Sequence, residues 1–269
     1  MSSQKYINTN QRSFNHSKVV CIVTKQEMYI IVQNQLAVDL NCTSDDLNGE
    51  KDTFVFVESK DNPGRRPFRR GKQFFEILTM GKSIVVSATP ARLKYAKEQL
   101  AGKERDDAFS MHFIRGHVMC YLPDLENIKR VSAPSNFTYE TIQKDRISIL
   151  RDTQGFSNAI QYDVNHPVQN ALAIIAKQGD TIAGIAGAYW WSPKMWSIGI
   201  DVLPSYRSNG LAAYLVNALT YEILEQDIVP VYTTASSNIA SQKVGYRAGY
   251  MPAWMSDRQL RFEGELSNS

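Results

Sequence analysis

The chain has 269 residues, of which 43% are hydrophobic and 21% are charged, a composition typical of folded globular proteins and unlike that of disordered or fibrous ones. Its 30 Lys and Arg residues and 27 Asp and Glu residues give a formal net charge of +3. Proteins that bind nucleic-acid backbones usually carry a much larger positive charge, so we expect no nucleic-acid partner.

The hydrophobic segments are too short to cross a bilayer. One of the longest, Gly184 to Trp191, falls far below the ~20 residues that a membrane-spanning helix needs. Val19 to Thr24 is too brief for the core of a signal peptide, and no typical cleavage site follows it. We therefore expect no membrane partner and a cytoplasmic protein.

The cysteine and histidine residues are scattered and form no metal-binding motif. The three cysteines lack CxxC spacing and neighbouring histidines, and the four histidines form no helical i, i+4 pair. The sequence thus predicts buried thiols, with neither a disulfide framework nor a metal site. These residues are Cys21, Cys42, Cys120, His16, His112, His117 and His166.

The amino-terminal half predicts a smaller α+β domain at residues 19–130. Residues 1–18 are rich in Ser, Asn, Gln and Thr, and we expect a flexible tail there. The later segments alternate between helical and strand-like spacing of their apolar residues. The predicted elements are a helix at 27–40, strands at 53–57 and 83–88, and a helix at 90–100.

A basic cluster follows the turn at Asn62-Pro63-Gly64, and it has two interpretations. In the first, it belongs to a solvated loop whose Arg stems cover apolar surface. In the second, it is an anion-binding edge near a substrate or near cofactor phosphates, because guanidinium groups suit such ligands. The cluster comprises Arg65, Arg66, Arg69, Arg70 and Lys72.

The carboxyl-terminal half predicts a second domain at residues 131–269, after a polar stretch that contains Pro123. Thr181 to Trp190 is nearly all small or apolar, as is typical of a strand covered on both faces. Gly179-Asp180, just before it, is a favourable hairpin turn. The predicted elements are a strand entering a helix at 137–150 and strands at 171–176, 181–190 and 228–234.

Trp196 to Thr220 predicts a strand, a tight loop and a helix. Apolar residues alternate from Ile198 to Val202 and then recur at helical spacing. The unpaired N–H groups and the positive dipole end at the start of such a helix favour an anion. Gly210 permits close approach of a phosphate, and Arg207 adds a positive charge. The alternative is a turn in which the glycine is required only for its dihedral angles.

Arg207-Ser-Asn-Gly-Leu-Ala212 resembles the R/Q-x-x-G-x-G/A signature of the GNAT superfamily of N-acetyltransferases, and Val202-Leu-Pro-Ser-Tyr precedes it as is typical there. Downstream, Asn238 to Tyr250 is similar to the family's second segment, N-x-A-S-x-x-V-x-x-x-x-G-F. By themselves, Asn238 also fits the cap of a helix and Gly249 fits its carboxyl-terminal glycine.

The resemblance covers roughly residues 135–262 and implies a GNAT-type fold of the α/β (α+β) class. That fold is a mixed, mostly antiparallel sheet flanked by helices. The resemblance also implies acetyl-CoA as the co-substrate, bound by the loop, the helix start and the strand before them. The residues that it assigns to cofactor binding are Ile200, Val202, Arg207, Ser208, Asn209, Gly210, Leu211, Ala212 and Asn238.

The implied reaction is direct attack of an amine on the acetyl thioester, with the oxyanion stabilised by a backbone N–H in the stretch from Ile200 to Val202. Asp201, the only carboxylate on that strand, is a candidate catalytic base, and a structural role is its alternative. Many family members place a Tyr seven residues after the conserved Asn to protonate the leaving thiolate. Here that position is Gly245, so Tyr246, one residue later, is the candidate acid.

An aromatic-rich set belongs to the carboxyl-terminal domain. Core packing accounts for most of it, and a cation–π wall for an amine substrate is the alternative. The set comprises Tyr189, Trp190, Trp191, Trp196 and Trp254.

The sequence thus predicts an acetyl-CoA-dependent N-acetyltransferase that acts on the amine of a small molecule or peptide. The amino-terminal domain is expected to shape the acceptor pocket. The alternative is a non-catalytic acyl-CoA sensor or interaction module, because the family's acid is missing at Gly245. Family pockets vary outside the two motifs, so the resemblance implies no single acceptor. A homodimer is compatible with the sequence.

Overall fold

The computed structural model of the protein describes residues 23–67, 74–114 and 116–259. The predicted tail at residues 1–18 and Cys21 lie outside this part of the chain. Three members of the basic cluster lie outside it as well, namely Arg69, Arg70 and Lys72.

The described residues form helices and strands in the following order along the chain. The helices are α1 (Lys25–Leu40), α2 (Ser44–Leu47), α3 (Pro90–Leu100), α4 (Arg105–Phe109), α5 (Leu211–Leu224) and α6 (Ile239–Arg247), with 3-10 helices at Lys144–Leu150 and Pro204–Tyr206. The strands are β1 (Phe54–Glu58), β2 (Phe75–Thr79), β3 (Ile84–Ala88), β4 (Val118–Pro123), β5 (Thr138–Gln143), β6 (Asn170–Gln178), β7 (Thr181–Ser192), β8 (Met195–Val202), β9 (Val229–Ala235) and β10 (Tyr250–Gln259). None of these helices combines the length and the apolar character that crossing a membrane requires.

These strands form one sheet in the order β1-β3-β2-β10-β4-β9-β8-β7-β6-β5. Within the described residues, β1 and β3 are parallel, as are β8 and β9, and the other neighbouring pairs are antiparallel. The predicted class, a mixed and mostly antiparallel sheet flanked by helices, is therefore confirmed. The predicted segment at 137–150 begins as the strand β5, but a 3-10 helix follows it where the sequence suggested an ordinary helix.

The sheet is continuous across residue 130, where the sequence predicts a domain boundary. Strand β4 precedes that position in the chain but lies between β9 and β10, which follow it. Strand β10 in turn pairs with β2, with Met255 opposite Thr79. The division into domains at 19–130 and 131–269 stays a prediction, since the hydrogen bonding of the sheet does not divide there.

Helix α1 covers one face of the sheet because its apolar residues repeat at helical spacing. Met28, Val32 and Leu36 are buried against β2, β3, β4, β9 and β10. A capping box begins the helix: the Thr24 side chain accepts from Glu27 N, and the Glu27 carboxylate accepts from Thr24 N.

Helices α5 and α6 lie on the opposite face. Leu215, Leu219 and Ile223 of α5 share a core with Tyr121 and Tyr232. The neighbouring residues on those two strands, Cys120 and Val231, belong to the core under α1. Because successive side chains of a strand point to opposite faces, the sheet separates the two cores.

The described arginines of the basic cluster have packing roles. Arg66 is buried, forms an ion pair with Asp39 of α1 and lies 4.6 Å from the centre of the Trp191 ring. Arg65 lies 4.7 Å from the centre of the Phe74 ring. Both therefore cover apolar rings, as the first interpretation expects, although Arg66 does so in a buried rather than a solvated position.

An ion pair with a buried carboxylate joins β10 to β2. The Glu76 carboxylate accepts from Arg258 Nε at 2.9 Å and from Arg258 Nη2 at 3.0 Å, and only 2% of the Glu76 side chain is exposed. Such a two-bond pair fixes the alignment of the two strands, since both partners must keep one orientation.

We expect Glu76→Ala to lower the free energy of unfolding by about 2 kcal/mol, because it removes two charge-assisted hydrogen bonds whose acceptor is buried. The matched control is Glu126→Ala, which removes an exposed pair with Lys25 and should cost about 1 kcal/mol or less. Urea unfolding followed by circular dichroism measures both values. Equal losses in the two variants would contradict this role of the pair.

Candidate functional site

The parallel strands β8 and β9 separate partway along their length. Their ladder ends at the pair formed by Ile198 and Tyr232. Strand β8 continues to Val202 and β9 continues to Ala235 without pairing with each other. A cleft of about 840 Å³ opens between the separated ends and extends to the starts of α5 and α6.

Backbone groups of β8 face this cleft. Leu203 N donates to Ala183 O of β7, and the direction of the N–H groups alternates along an extended strand. The N–H groups of Ile200 and Val202 therefore point away from β7 and into the cleft. The family resemblance assigns these two residues to cofactor binding, and both line the cleft.

Strand β9 presents a matching edge. Ser236 N donates to His117 O on the side of β4. By the same alternation, the N–H groups of Thr233 and Ala235 point toward the cleft, which both residues line. Two strand edges without a ladder partner therefore face each other across the cleft.

The loop before α5 closes one end of the cleft. It turns through Ser208 and Gly210, both in the left-handed region with φ of 67° and 82°. Asn209 Oδ1 accepts from Leu211 N at 3.1 Å and satisfies the first amide of the helix. The next amides, of Ala212 and Ala213, belong to the first turn and have no acceptor within the helix. A Cβ built on Gly210 would contact nothing within 4 Å, so the space beside this glycine is open.

Positive charge is concentrated on this side of the cleft. Arg207 Nε donates to Val202 O at 2.9 Å, which holds its guanidinium beside the end of β8. Lys243 and Arg247 of α6 also line the cleft. Asn238 caps α6, because its Oδ1 accepts from Ser241 N at 3.0 Å. The loop, the start of α5 and the cleft-lining residues of α6 thus form a basic surface.

Asp201 faces the other side of the sheet. Its Oδ2 accepts from Asn158 N at 2.7 Å and from Ala159 N at 3.1 Å, and its Oδ1 accepts from Asn158 Nδ2 at 2.7 Å. Tyr189 donates its hydroxyl proton to Asn158 O at 2.8 Å. Burial, with a smaller contribution from the Asp201 charge, raises the pKa of Tyr189, so that it donates as a neutral phenol at pH 7. Asp201 therefore holds the loop that carries Asn158.

Two glycines make room for this loop. A Cβ on Gly199 would lie 1.7 Å from Asn158 O, and a Cβ on Gly187 would lie 1.8 Å from Ala159 O. The loop backbone thus rests directly on β7 and β8. Because Asn158, Tyr189 and Asp201 also line the cleft, the cleft reaches this face of the sheet as well.

The structure brings together ten of the eleven residues that the sequence assigned to the site. Tyr246 is the exception, since it lies outside the cleft lining, is 48% exposed and packs its ring 5.7 Å from that of Tyr121. The residues that line the cleft are Ile200, Asp201, Val202, Arg207, Ser208, Asn209, Gly210, Leu211, Ala212 and Asn238.

Most of the aromatic set packs in the interior. Trp196 and Trp254 are buried in the two main cores, and Trp191 lies under Arg66. Of the five, Tyr189 is the one that lines the cleft. Packing thus accounts for these three tryptophans, whereas Trp190 is 40% exposed.

Sequence reasoning missed several residues of the cleft. Lys243 and Arg247 recur at i, i+4 on α6, and this spacing could have shown that they share a face. Tyr232 and Asn158 carry no local signal, because one is a β-type residue in an apolar strand and the other lies in an irregular loop. Their positions depend on long-range packing.

The model of the GNAT acetyltransferase family matches residues 79–253, well over half of the chain. No curated protein sequence matches. Similar solved structures include a GCN5-related N-acetyltransferase-like protein from Streptococcus suis, with 13% identity, a TM-score of 0.42 and coverage of 66% of this chain and 71% of that one.

Two further solved structures are similar. One is a GCN5-related N-acetyltransferase from Kribbella flavida, with 14% identity, a TM-score of 0.42 and coverage of 60% of this chain and 64% of that one. The other is a GNAT-family protein from Novosphingobium aromaticivorans, with 14% identity, a TM-score of 0.39 and coverage of 53% of this chain and 63% of that one. The chain thus spans slightly less than two thirds of the length of each of these two proteins.

We expect Gly199→Ala to destabilise the protein by about 2 kcal/mol or more, because the added methyl group would overlap a loop carbonyl at 1.7 Å. Gly49→Ala is the control, since its methyl group would make ordinary contacts at 3.5 Å and its backbone angle is not positive. We expect it to change the stability by less than about 1 kcal/mol. Urea unfolding compares the two, and a Gly199→Ala protein of unchanged stability would contradict the loop placement.

Proposed function

Since the chain belongs to the GNAT acetyltransferase family, we propose that it transfers the acetyl group of acetyl-CoA to the amine of a small molecule or peptide. The observation that carries this proposal is the cleft between the separated strands β8 and β9. At one end it is bounded by the open, donor-rich start of α5, and at the other it reaches the opposite face of the sheet.

The start of α5 suits a diphosphate. Its first-turn amides and the positive end of its dipole favour an anion, and the absence of a side chain at Gly210 leaves room for one. Arg207 adds a fixed positive charge. Acetyl-CoA carries a further phosphate on its ribose, for which Lys243 and Arg247 on α6 are suitable partners.

The facing strand edges suit the pantetheine arm of acetyl-CoA, which contains two amide groups. The backbone groups of Ile200 and Val202 on one side, and of Thr233 and Ala235 on the other, can pair with such amides as a strand would. An N–H group of Ile200 or Val202 would then also stabilise the oxyanion that forms when the thioester is attacked.

The acceptor amine would approach from the opposite face, where Asp201, Asn158 and Tyr189 line the cleft. Its nitrogen attacks the carbonyl carbon, the C–S bond breaks, and the amine loses a proton. A carboxylate has about four acceptor positions, and three of those of Asp201 are used by the loop. Asp201 would thus mainly position the loop and could accept one further hydrogen bond from the amine or a water.

A second candidate function is a non-catalytic sensor of acyl-CoA. Position 245 is a glycine, and Tyr246 lies outside the cleft lining, so neither position supplies an acid to the cleft. A sensor would bind acetyl-CoA and transfer nothing. Turnover with a panel of amines that includes spermidine, glucosamine, lysine and a peptide with a free amino terminus separates the two functions.

We expect Gly210→Glu to weaken acetyl-CoA binding by about tenfold or more, because it places a negative charge at the helix start that would hold the diphosphate. Isothermal titration calorimetry with acetyl-CoA measures the effect. The matched control is Gly64→Glu, since Gly64 has the same φ of 82° and the same open surroundings but lies outside the cleft lining.

The control carries the same backbone strain, and we expect it to keep the affinity of the wild-type protein within about twofold. Equal affinities in the wild-type and Gly210→Glu proteins would exclude a diphosphate at this helix. No detectable association of acetyl-CoA with the wild-type protein would refute the proposed function itself.

A further inference from the structure

Tyr232 occupies the point at which the cleft begins. It is the β9 residue of the last β8–β9 pair, beyond which the strands separate. Its side chain points to the face covered by α5 and α6, and it lines the cleft although it is only 1% exposed. A phenol is thus built into the cleft at the point where the two strands part.

The Tyr232 hydroxyl reaches the helix that lines the cleft. It lies 2.6 Å from Ser241 Oγ and 3.2 Å from Ser241 O, in the first turn of α6. Ser241 itself lines the cleft. The phenol is therefore connected to a second hydroxyl through which a proton can be exchanged.

The ring of Tyr232 also explains why position 245 is a glycine. A Cβ at position 245 would lie 3.1 Å from Tyr232 Cδ1 and 3.2 Å from Tyr232 Cε1. A side chain there and the ring of Tyr232 would compete for one space. The space beside position 245, where α6 could have carried an acidic side chain, is therefore occupied by the Tyr232 ring of β9.

The other phenols that line the cleft have different positions. The Tyr189 hydroxyl donates to Asn158 O on the opposite face of the sheet. Tyr206 belongs to the loop before α5, where its ring packs 6.0 Å from that of Phe137. Among the cleft-lining phenols of the described residues, Tyr232 alone lies where β8 and β9 part on the α6 side.

From this geometry we propose that Tyr232 is the acid that protonates the sulfur of coenzyme A during acetyl transfer, with Ser241 as the residue that returns its proton. The assignment rests on the proposed function. As the C–S bond breaks, its electron pair goes to sulfur and the proton of the Tyr232 hydroxyl follows. The phenolate then takes a proton through Ser241 Oγ, and the proton released by the attacking amine balances the step.

The surroundings keep this phenol in its acidic form. Burial is the main cause that raises the pKa of Tyr232, and the hydrogen bond from Ser241 only partly opposes it. Tyr232 is therefore protonated throughout the neutral pH range. A buried phenolate is unfavourable, so it would persist only until Ser241 supplies a proton.

Tyr232→Phe keeps the ring against Gly245 and removes only the hydroxyl. We expect kcat to fall by about 100-fold for transfer from acetyl-CoA to the best amine of the panel above, since general acids contribute factors of this size. The dissociation constant for acetyl-CoA, measured by calorimetry, should change less than about twofold. The control is Tyr121→Phe, because Tyr121 lies beside Tyr232 on β4, is buried, and lines no part of the cleft.

An acetyl donor with a more acidic thiol distinguishes a role of the Tyr232 hydroxyl in proton transfer from a purely structural role. S-acetyl-4-nitrothiophenol releases a thiolate that needs no proton, so we expect the wild-type and Tyr232→Phe proteins to use it at similar rates. If the hydroxyl had only a structural role, Tyr232→Phe would lower the rates with both donors by the same factor. Ser241→Ala should reduce kcat with acetyl-CoA several-fold and leave the nitrothiophenol reaction unchanged, and it carries the test should Tyr232→Phe fail to fold.

The outcomes distinguish this assignment from the proposed function. A wild-type protein that acetylates an amine, with Tyr232→Phe equally fast, overturns the role of Tyr232 and leaves the transferase activity standing. The same conclusion follows if the defect is as large with the nitrothiophenol donor as with acetyl-CoA. A wild-type protein that acetylates none of the amines overturns both.

Discussion

The separation of two parallel strands after Ile198 and Tyr232 is the constraint on which the rest of the molecule depends. Backbone amides that leave a ladder lose their partners, and a buried amide without a partner is costly. The fold keeps each strand straight by pairing its other edge: β8 pairs with β7 as far as Val202, and β9 pairs with β4 as far as Ala235. The gap is therefore a stable feature of the sheet, and its open edges can bind a ligand that carries amides of its own.

The loop through Asn158, on the face of the sheet opposite α5, explains why the Asp201 carboxylate is held by several hydrogen bonds. The loop through Asn158 has to lie on the sheet without a spacer, which requires glycine at 187 and 199 and an acceptor for its amides. Asp201 supplies that acceptor with three hydrogen bonds. Its carboxylate orients the loop that borders the cleft, so it contributes to the shape of the cleft on this face of the sheet.

Local patterns predicted the parts of this site that lie close together in the chain. The strand, loop and helix from Ile198 onward could be predicted from the alternation of apolar residues, their helical spacing and the turn at Gly210. The helix predicted at 90–100 has these bounds in the structure. Strand β10 was missed because Pro252 lies within it, and prolines rarely occupy central strands. The structure accommodates this proline beside a register shift between Pro252 and Trp254.

The sequence predicted the acid at Tyr246 of α6 because it allows only neighbouring positions along one helix to be compared. The packing of Tyr232 against Gly245 joins residues from two elements, β9 and α6, and depends on the folded structure.

The strand order shows how the amino-terminal half affects the cleft without lining most of it. Strand β9 forms one wall, and it is held by β4, which comes from residues before 130 and is held in turn by β10. Strand β10 is fixed to β2 through the pair of Glu76 and Arg258. Rigid neighbours on this side are needed because β9 gains no hydrogen bonds from β8 beyond Tyr232. The width of the gap therefore depends on strands that are remote in sequence from both cleft motifs.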